Sequence, residues 1–291
     1  MTLTIGETLI QTRKTLRYSG GNETKLEADL LLCISLGMDR SRLYSSLEKT
    51  FSEAEQKNLS RLVQRRLLRE PVAYLLEKKE FFGLDFQVGP GVFIPRPATE
   101  SLVEQAIDML QSESPKGHTI IADVGTGSGA VAISLAVHLP HSHLYATDIS
   151  PSALAVARAN AEAHGVQQQV TFLSGDLLSP LPEHVDMVVA NLPYIRSSVI
   201  PCLEPEISRF EPTEALDGGA DGLDLVRRLL NQGPDHLHSE ATIFLELDPE
   251  QMDAASSAAL AVYRGAWIYC INDLAGYQRV LVVHCNDAPT H

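Results

Sequence analysis

The stretch that decides the fold is IIADVGTGSGAVAISLA, Ile120 to Ala136. It opens as a short apolar run of the kind that makes a buried strand, and it closes as a small-residue apolar run that reads as a helix. Between them stand Gly125, Gly127 and Gly129, interleaved with Thr126 and Ser128. Glycines at such a place allow a tight strand-to-helix turn and let a ligand approach the backbone at the positive end of the helix. The spacing is G-x-G-x-G. The dinucleotide fingerprint is G-x-G-x-x-G, so the match to a nicotinamide-cofactor site is incomplete.

Outward from this turn, strands and helices alternate. Apolar runs predict strands near 119–124, 143–148, 169–174, 184–190, 241–247, 266–271 and 279–284. Periodic segments predict helices near 129–138, 151–164, 221–232 and 249–262. Alternation of this kind predicts an α/β fold whose parallel sheet is covered on both faces. Only NDLAGYQ separates the last two strands, too little for a crossover helix, so one of the two is expected to run antiparallel.

Upstream the texture differs. The first proline is Pro71, and everything before it reads as helices. Thr4 with Glu7, Thr24 with Glu27 and Ser52 with Glu55 each have capping-box spacing before an apolar periodic run. In the third of these, Leu59, Leu62, Val63 and Leu67 share one face, and Arg61, Arg65 and Arg69 lie opposite on a basic face that reads as solvated surface. EFFGLDFQVGPGVFIPRP, residues 80–97, is aromatic, alternating and rich in Gly and Pro, which predicts a β-hairpin linker. The expected division is therefore a helical domain over 1–79, the linker over 80–97, and an α/β domain over 98–291.

Residues 1–85 hold 14 Lys and Arg against 12 Asp and Glu, whereas the remainder holds 9 against 25. So acidic a second portion argues against a phosphate backbone as its main partner. No apolar run approaches a membrane span, and the N-terminus lacks the charged start and apolar block of a signal peptide. The four cysteines (Cys33, Cys202, Cys270 and Cys285) are far apart, form no metal-ligand pair, and suit reduced thiols in the cytoplasm. No metal is expected.

Two carboxylates follow the glycine turn. Asp148 ends the second strand, 23 residues beyond Gly125, where a carboxylate can accept both hydroxyls of a ribose. Asp176 follows the third, within reach of an adenine edge. Singly, a glycine turn is often only a turn, and Asp148 can simply precede a helix. Together they fall at the ends of successive strands, where open α/β sheets bind ligands, and they favour an adenosine-containing ligand. With Asp123 opening the loop and no P-loop lysine, a triphosphate is disfavoured.

The fourth strand, in MVVANLPYI (Met187 to Ile195), delivers Asn191, Leu192, Pro193 and Tyr194 to the same edge. Asn and Pro are common turn residues, so these four alone read as a strand exit. Beside the upstream loop and acids they read differently. An amide or exocyclic nitrogen is a poor nucleophile because its lone pair is delocalised. An enzyme that methylates one needs acceptors for both N–H groups. The side-chain oxygen of Asn191 and the carbonyl of Leu192, restricted by Pro193, can supply them, and Tyr194 offers a flat face.

Taken together, this set resembles a class I, Rossmann-like methyltransferase that uses S-adenosyl-L-methionine (SAM) and yields S-adenosyl-L-homocysteine. The usual tetrapeptide there is Asn-Pro-Pro-Tyr, and Leu192 departs from it. EPVAYLLEKKEFFGLDFQVGPGVFIPRPATESLVE, RFEPTEALDGGADGLDLVRRLL and DLAGYQRVLVV further resemble the release factor glutamine methyltransferases, the PrmC/HemK family, over most of residues 70–291. In LELDPEQ, Asp248 stands where that family leads one to expect glycine. The resemblance implies a seven-stranded SAM-binding sheet and a helical N-terminal domain for substrate recognition. It implies as substrate the glutamine of the Gly-Gly-Gln motif in class I peptide-chain release factors, with no direct nucleic-acid or membrane partner, in a monomer. By motif it places Gly125, Thr126, Gly127, Ser128 and Gly129 at the methionine end of SAM. Asp148 falls at the ribose, and Asp176 and Leu177 at the adenine. Asn191 through Tyr194 fall at the glutamine amide, and Phe93, Arg96 and Pro97 at the entrance. Alternatives are an adenine-N6 methyltransferase of DNA or RNA, and a SAM-binding protein without catalysis.

Overall fold

The computed structural model describes residues 3–17, 24–112, 119–273 and 275–285. They form two compact units. The first comprises the described residues up to Lys78 together with Glu204–Phe210, and the second takes the rest.

The helical unit contains α1 (Ile5–Leu16), α2 (Thr24–Leu36), α3 (Arg40–Ser45), α4 (Glu53–Leu67) and α5 (Val72–Leu76). Thr4 and Ser52 each close a capping box with Glu7 and Glu55, which satisfies backbone donors that a helix start otherwise leaves orphaned. Thr24 is itself the first helical residue, and a cap before it lies outside the described residues. Leu9, Leu31, Leu32, Leu43, Phe51, Leu59 and Leu62 make the core. α4 departs from the expected face. Leu67 is exposed, and it is Arg66 that is buried, its guanidinium paired with Glu27 at 2.9 Å and with Glu206 at 2.9 Å. Glu206 also takes Arg69 at 2.5 Å, and Arg65 pairs with Glu70. The basic face is therefore largely ion-paired. Arg69 lies past the helix end with φ of 72°.

The second unit opens on a hairpin of β1 (Lys78–Phe81) and β2 (Leu84–Gln87), followed by a 3-10 turn at Pro97–Thr99 and α6 (Glu100–Ser112). Then come β3 (Thr119–Val124), α7 (Ala130–His138), β4 (Ser142–Asp148), α8 (Pro151–Ala163), β5 (Val170–Ser174) and β6 (Val185–Ala190). After α9 (Pro205–Ser208), which belongs with the helical unit, follow α10 (Asp224–Gln232), β7 (Leu237–Glu246), α11 (Met252–Val262), β8 (Trp267–Asn272) and β9 (Gln278–His284). The sheet order is β5-β4-β3-β6-β7-β9-β8, parallel throughout except that β9 runs antiparallel to both neighbours.

Alternation along β6 explains the layers. Met187 and Val189 face one core with Ile121, Phe244 and residues of α6 and α7; Val188 and Ala190 face the other with Ile243, Leu245 and residues of α10 and α11. Each fully buried branched side chain contributes roughly 1.5–3 kcal/mol, so the register is strongly specified. The chain reverses its winding between β3 and β6, the place where a doubly wound sheet opens a crevice at its carboxyl edge. Asp248, where glycine was expected, caps the turn at Pro249–Gln251 by accepting from Glu250 N at 3.0 Å.

Among the described residues no helix is long and apolar enough to cross a membrane.

Candidate active site

A cavity opens at that crevice. Its walls include Gly125–Ser128, Asp148, Asp176, Leu177 and Asn191–Tyr194, with Phe93 on one side. Arg96 and Pro97 are not among the lining residues. Arg96 instead lies over the Phe93 ring, 4.8 Å from its centroid, and pairs with the buried carboxylate of Glu211, which also accepts from Ile94 N. Pro97 starts the 3-10 turn.

The glycine turn is held from below and behind. Gly125 N and Thr126 N both donate to Thr147 O, at 2.9 and 3.0 Å, which ties the turn to the end of β4. Gly129 has φ of 82° and sits where an added Cβ would lie 2.8 Å from Ile133 Cδ1 and 3.1 Å from Ala157 Cβ. Only glycine fits there. The buried amide of Asn160 on α8 donates to Ser128 O at 2.9 Å and to Gln87 O at 3.1 Å, and its oxygen accepts from Gln87 N at 2.8 Å, so one side chain latches both the turn and the hairpin.

Two acids meet the turn. Asp123 is buried; its Oδ2 accepts from the Thr126 hydroxyl at 2.6 Å and from Ala132 N at 3.0 Å. Burial outweighs those bonds and pushes its carboxyl up to about 7. Asp148 accepts from Gly127 N and Ser150 N, both at 2.8 Å, and burial raises it as well. Asp176 is more open, and its carboxylate meets Arg228 at 2.5 Å and the Gln232 amide at 3.3 Å. Leu177 is buried at a φ of 50°.

Asn191 emerges directly from β6, its Nδ2 donating to the Thr99 hydroxyl at 2.9 Å. Leu192 is buried, and its Cδ2 lies 3.2 Å from where a Gly125 Cβ would be, so this side chain fills the space beside the glycine turn. The Tyr194 hydroxyl donates to Glu246 Oε1 at 3.3 Å, and burial raises its pKa. The Tyr194 carbonyl accepts from Gln251 Nε2 at 2.8 Å. Ile195 bridges to Asp217, and Gly218 leaves only 2.6 Å between an added Cβ and Pro193 O. The LDGGADG segment thus seats the tetrapeptide through backbone contacts that a side chain would disrupt.

Sequence reading missed Thr99, Asn160 and Glu246. Glu246 carried a signal, a lone charge in the apolar run TIFLEL; Thr99 in RPATE carried none.

The fold and this cavity define a class I methyltransferase domain. Residues 7–76 match the PrmC N-terminal domain model, and residues 84–200 the methyltransferase small domain model. A release factor glutamine methyltransferase of Geobacter sulfurreducens is 40% identical over 84% of this chain and 84% of its own. One of Moorella thermoacetica is 39% identical over 97% of this chain and 99% of its own. Among solved structures, a ribosomal protein L11 methylase of Lactobacillus delbrueckii subsp. bulgaricus aligns with a TM-score of 0.51 at 20% identity, over 72% of this chain and 90% of that one, a likeness of fold. The chain belongs to the release factor glutamine methyltransferase family.

Proposed function

We propose that this protein transfers a methyl group from SAM to the side-chain nitrogen of the glutamine in the Gly-Gly-Gln motif of class I release factors. The observation that carries the reading is the orientation of Asn191. Its NH2 end is bonded to Thr99, which leaves Oδ1 as an acceptor at a cavity shared with the glycine turn and Asp148.

The residues present suit SAM. Gly127 has open space around an added Cβ, and the acids at the turn are matched by no lysine in the cavity wall, an acceptor set for a cationic ligand with a diol. Gly125 to Gly129 would hold its methionine end, Asp148 the ribose, and Asp176 with Leu177 the adenine, for which Asp176 would exchange its bond to Arg228. When bound, SAM supplies an electrophilic methyl group on a sulfonium.

Asn191 Oδ1 and the Leu192 carbonyl then accept the two N–H groups of the glutamine amide, and Tyr194 bounds its flat face. With both N–H groups held, the nitrogen lone pair is turned out of conjugation and towards the donor. Alignment of this kind can be worth roughly 7–11 kcal/mol. Phe93 stands at the cavity wall with Arg96 stacked on it, so Arg96 and Pro97 shape the entrance indirectly. The helical residues 1–79 would recognise the release factor, with the hairpin segment 80–97 as linker to the methyltransferase domain of 98–291. The protein would act as a cytoplasmic monomer.

The test is peptide mass spectrometry of a release factor incubated with SAM and the protein. One added methyl on the Gly-Gly-Gln peptide, absent when that glutamine is replaced, is expected. Asn191→Ala should lose this transfer while keeping SAM binding by calorimetry. Methyl transfer to adenine in nucleic acid in place of glutamine, or SAM binding without transfer to either, would overturn the reading.

A further inference from the structure

Thr99, in the cavity wall, and Glu246, bonded to Tyr194 of the same wall, are buried polar side chains whose bonding has a direction. The Thr99 hydroxyl, 4% exposed, accepts from Asn191 Nδ2 at 2.9 Å. A hydroxyl has one proton and two lone pairs, so after accepting it still has a proton to place. Glu246, the last residue of β7, is 2% exposed. Its Oε1 accepts from the Tyr194 hydroxyl at 3.3 Å, and its Oε2 has no hydrogen-bond partner among the described residues. Burial raises the pKa of this carboxyl, and the Thr99 hydroxyl beside it, with Arg279 and Tyr194, pulls it back towards the charged form. A buried oxygen with unused capacity beside a hydroxyl with a proton to give is a bond waiting on a small rotation.

The direction matters because an asparagine amide has two nearly isosteric ends. Were the Thr99 proton free to point at Asn191, the amide could turn over, offer its oxygen to Thr99 and present its NH2 to the cavity. An NH2 there would face the N–H groups of a substrate amide, donor against donor. An ionised Glu246, which only accepts, removes that option.

We propose that Thr99 and Glu246 form a polarity relay: ionised Glu246 accepts a hydrogen bond from the Thr99 hydroxyl, Thr99 therefore accepts from Asn191, and the acceptor end of Asn191 is held towards the substrate nitrogen. Both are positioning residues. Glu246 also holds Tyr194, so one buried carboxylate braces both ends of the Asn191–Tyr194 tetrapeptide. The inference rests on the glutamine-methylating reading given above.

The test uses the full-length protein with Thr99→Val, Thr99→Ser and Glu246→Gln. With release factor as substrate, Thr99→Val should lower kcat about 10- to 100-fold, the order seen when an aligned acceptor or donor is lost at a reacting group. KM for the release factor and Kd for SAM should stay within about threefold. Thr99→Ser, which keeps the hydroxyl, should restore kcat to within about threefold of wild type, and Glu246→Gln should fall with Thr99→Val. A kcat for Thr99→Val within twofold of wild type would overturn the relay, as would equal losses in the Val and Ser variants. Absence of glutamine methylation by the wild-type protein would instead count against the functional reading. The relay is then decided by NMR: the Asn191 side-chain NH2 signal, assigned by its disappearance in Asn191→Ala, should exchange slowly with solvent in wild type and Thr99→Ser and quickly in Thr99→Val. Equal exchange in all three would overturn it.

Discussion

At the scale of single residues, the acids below the glycine turn make the cavity sensitive to the charge of what enters it. Asp123 sits near 7 because it is buried with two neutral donors and no cation. A cation bound above it favours the carboxylate and so expels a proton wherever Asp123 was protonated. SAM binding at pH 6 should therefore release up to one proton, and at pH 8.5 almost none, with affinity rising between them. Calorimetry in two buffers of different ionisation heat reads this directly. Asp123→Asn should abolish the release at pH 6, and a wild-type protein that releases nothing there would sink the argument. Gly125, Asp148 and Asn191 were legible in the sequence because each stands where an apolar strand runs out. Thr99 and Glu246 were much less so: 92 residues separate Thr99 from Asn191 and 52 separate Tyr194 from Glu246, and no local pattern encodes such meetings.

At the scale of elements, α7 and α8 fix the glycine turn from behind, and the cost of disturbing them can be stated. Gly129→Ala places a methyl against Ile133 and Ala157 at a φ of 82°. The left-handed conformation costs roughly 1–2 kcal/mol for a residue with a Cβ, and overpacking a further ~1–3 kcal/mol. The variant should be about 2–5 kcal/mol less stable to urea, and unchanged stability would show that the turn yields more easily than its contacts suggest. Gly127→Ala, which meets nothing within 4 Å, should lose only the conformational part. Most elements were legible to within one or two residues, because an apolar run buried on both faces has unmistakable ends. The start of β7 was not. Leu237 pairs with Val185, but the exposed residues His238 to Glu240 between it and the apolar run give no strand signal. That one of the last two strands runs antiparallel followed from the short connection. That β9 inserts between β7 and β8 did not, since strand order is set by pairing across the sheet.

At the scale of the whole molecule, the buried acids of the two units respond to pH in opposite senses, while the more open Asp217, Asp221 and Asp273 of the second unit are held down by their hydrogen bonds. In the helical unit burial alone would raise Asp29 and Glu206, but Arg13, Tyr44 and Arg40 hold the first below the usual carboxylate range, and Arg69 and Arg66 hold the second. Groups depressed in this way stabilise above their unfolded values, and that contribution is lost as pH falls through the folded ones, below about pH 4. In the other unit burial raises Asp123, Asp148 and Glu246. Groups raised in this way stabilise below their unfolded values, and the contribution is lost as pH rises through the folded ones, for Asp123 around 7. The protein's single tryptophan, Trp267 on β8, reports the second unit alone, whereas circular dichroism at the helix band reports both. Urea unfolding of the ligand-free protein should therefore show the fluorescence midpoint rising as pH is lowered from 8 to 5.5, by about 0.5 M for each kcal/mol gained. Below pH 4 a helix-band loss should begin ahead of the fluorescence change, and Glu206→Gln should lessen that early loss by removing the carboxylate that Arg69 and Arg66 hold down. Midpoints that move together at every pH would mean the two sets of acids are not separately coupled to their units.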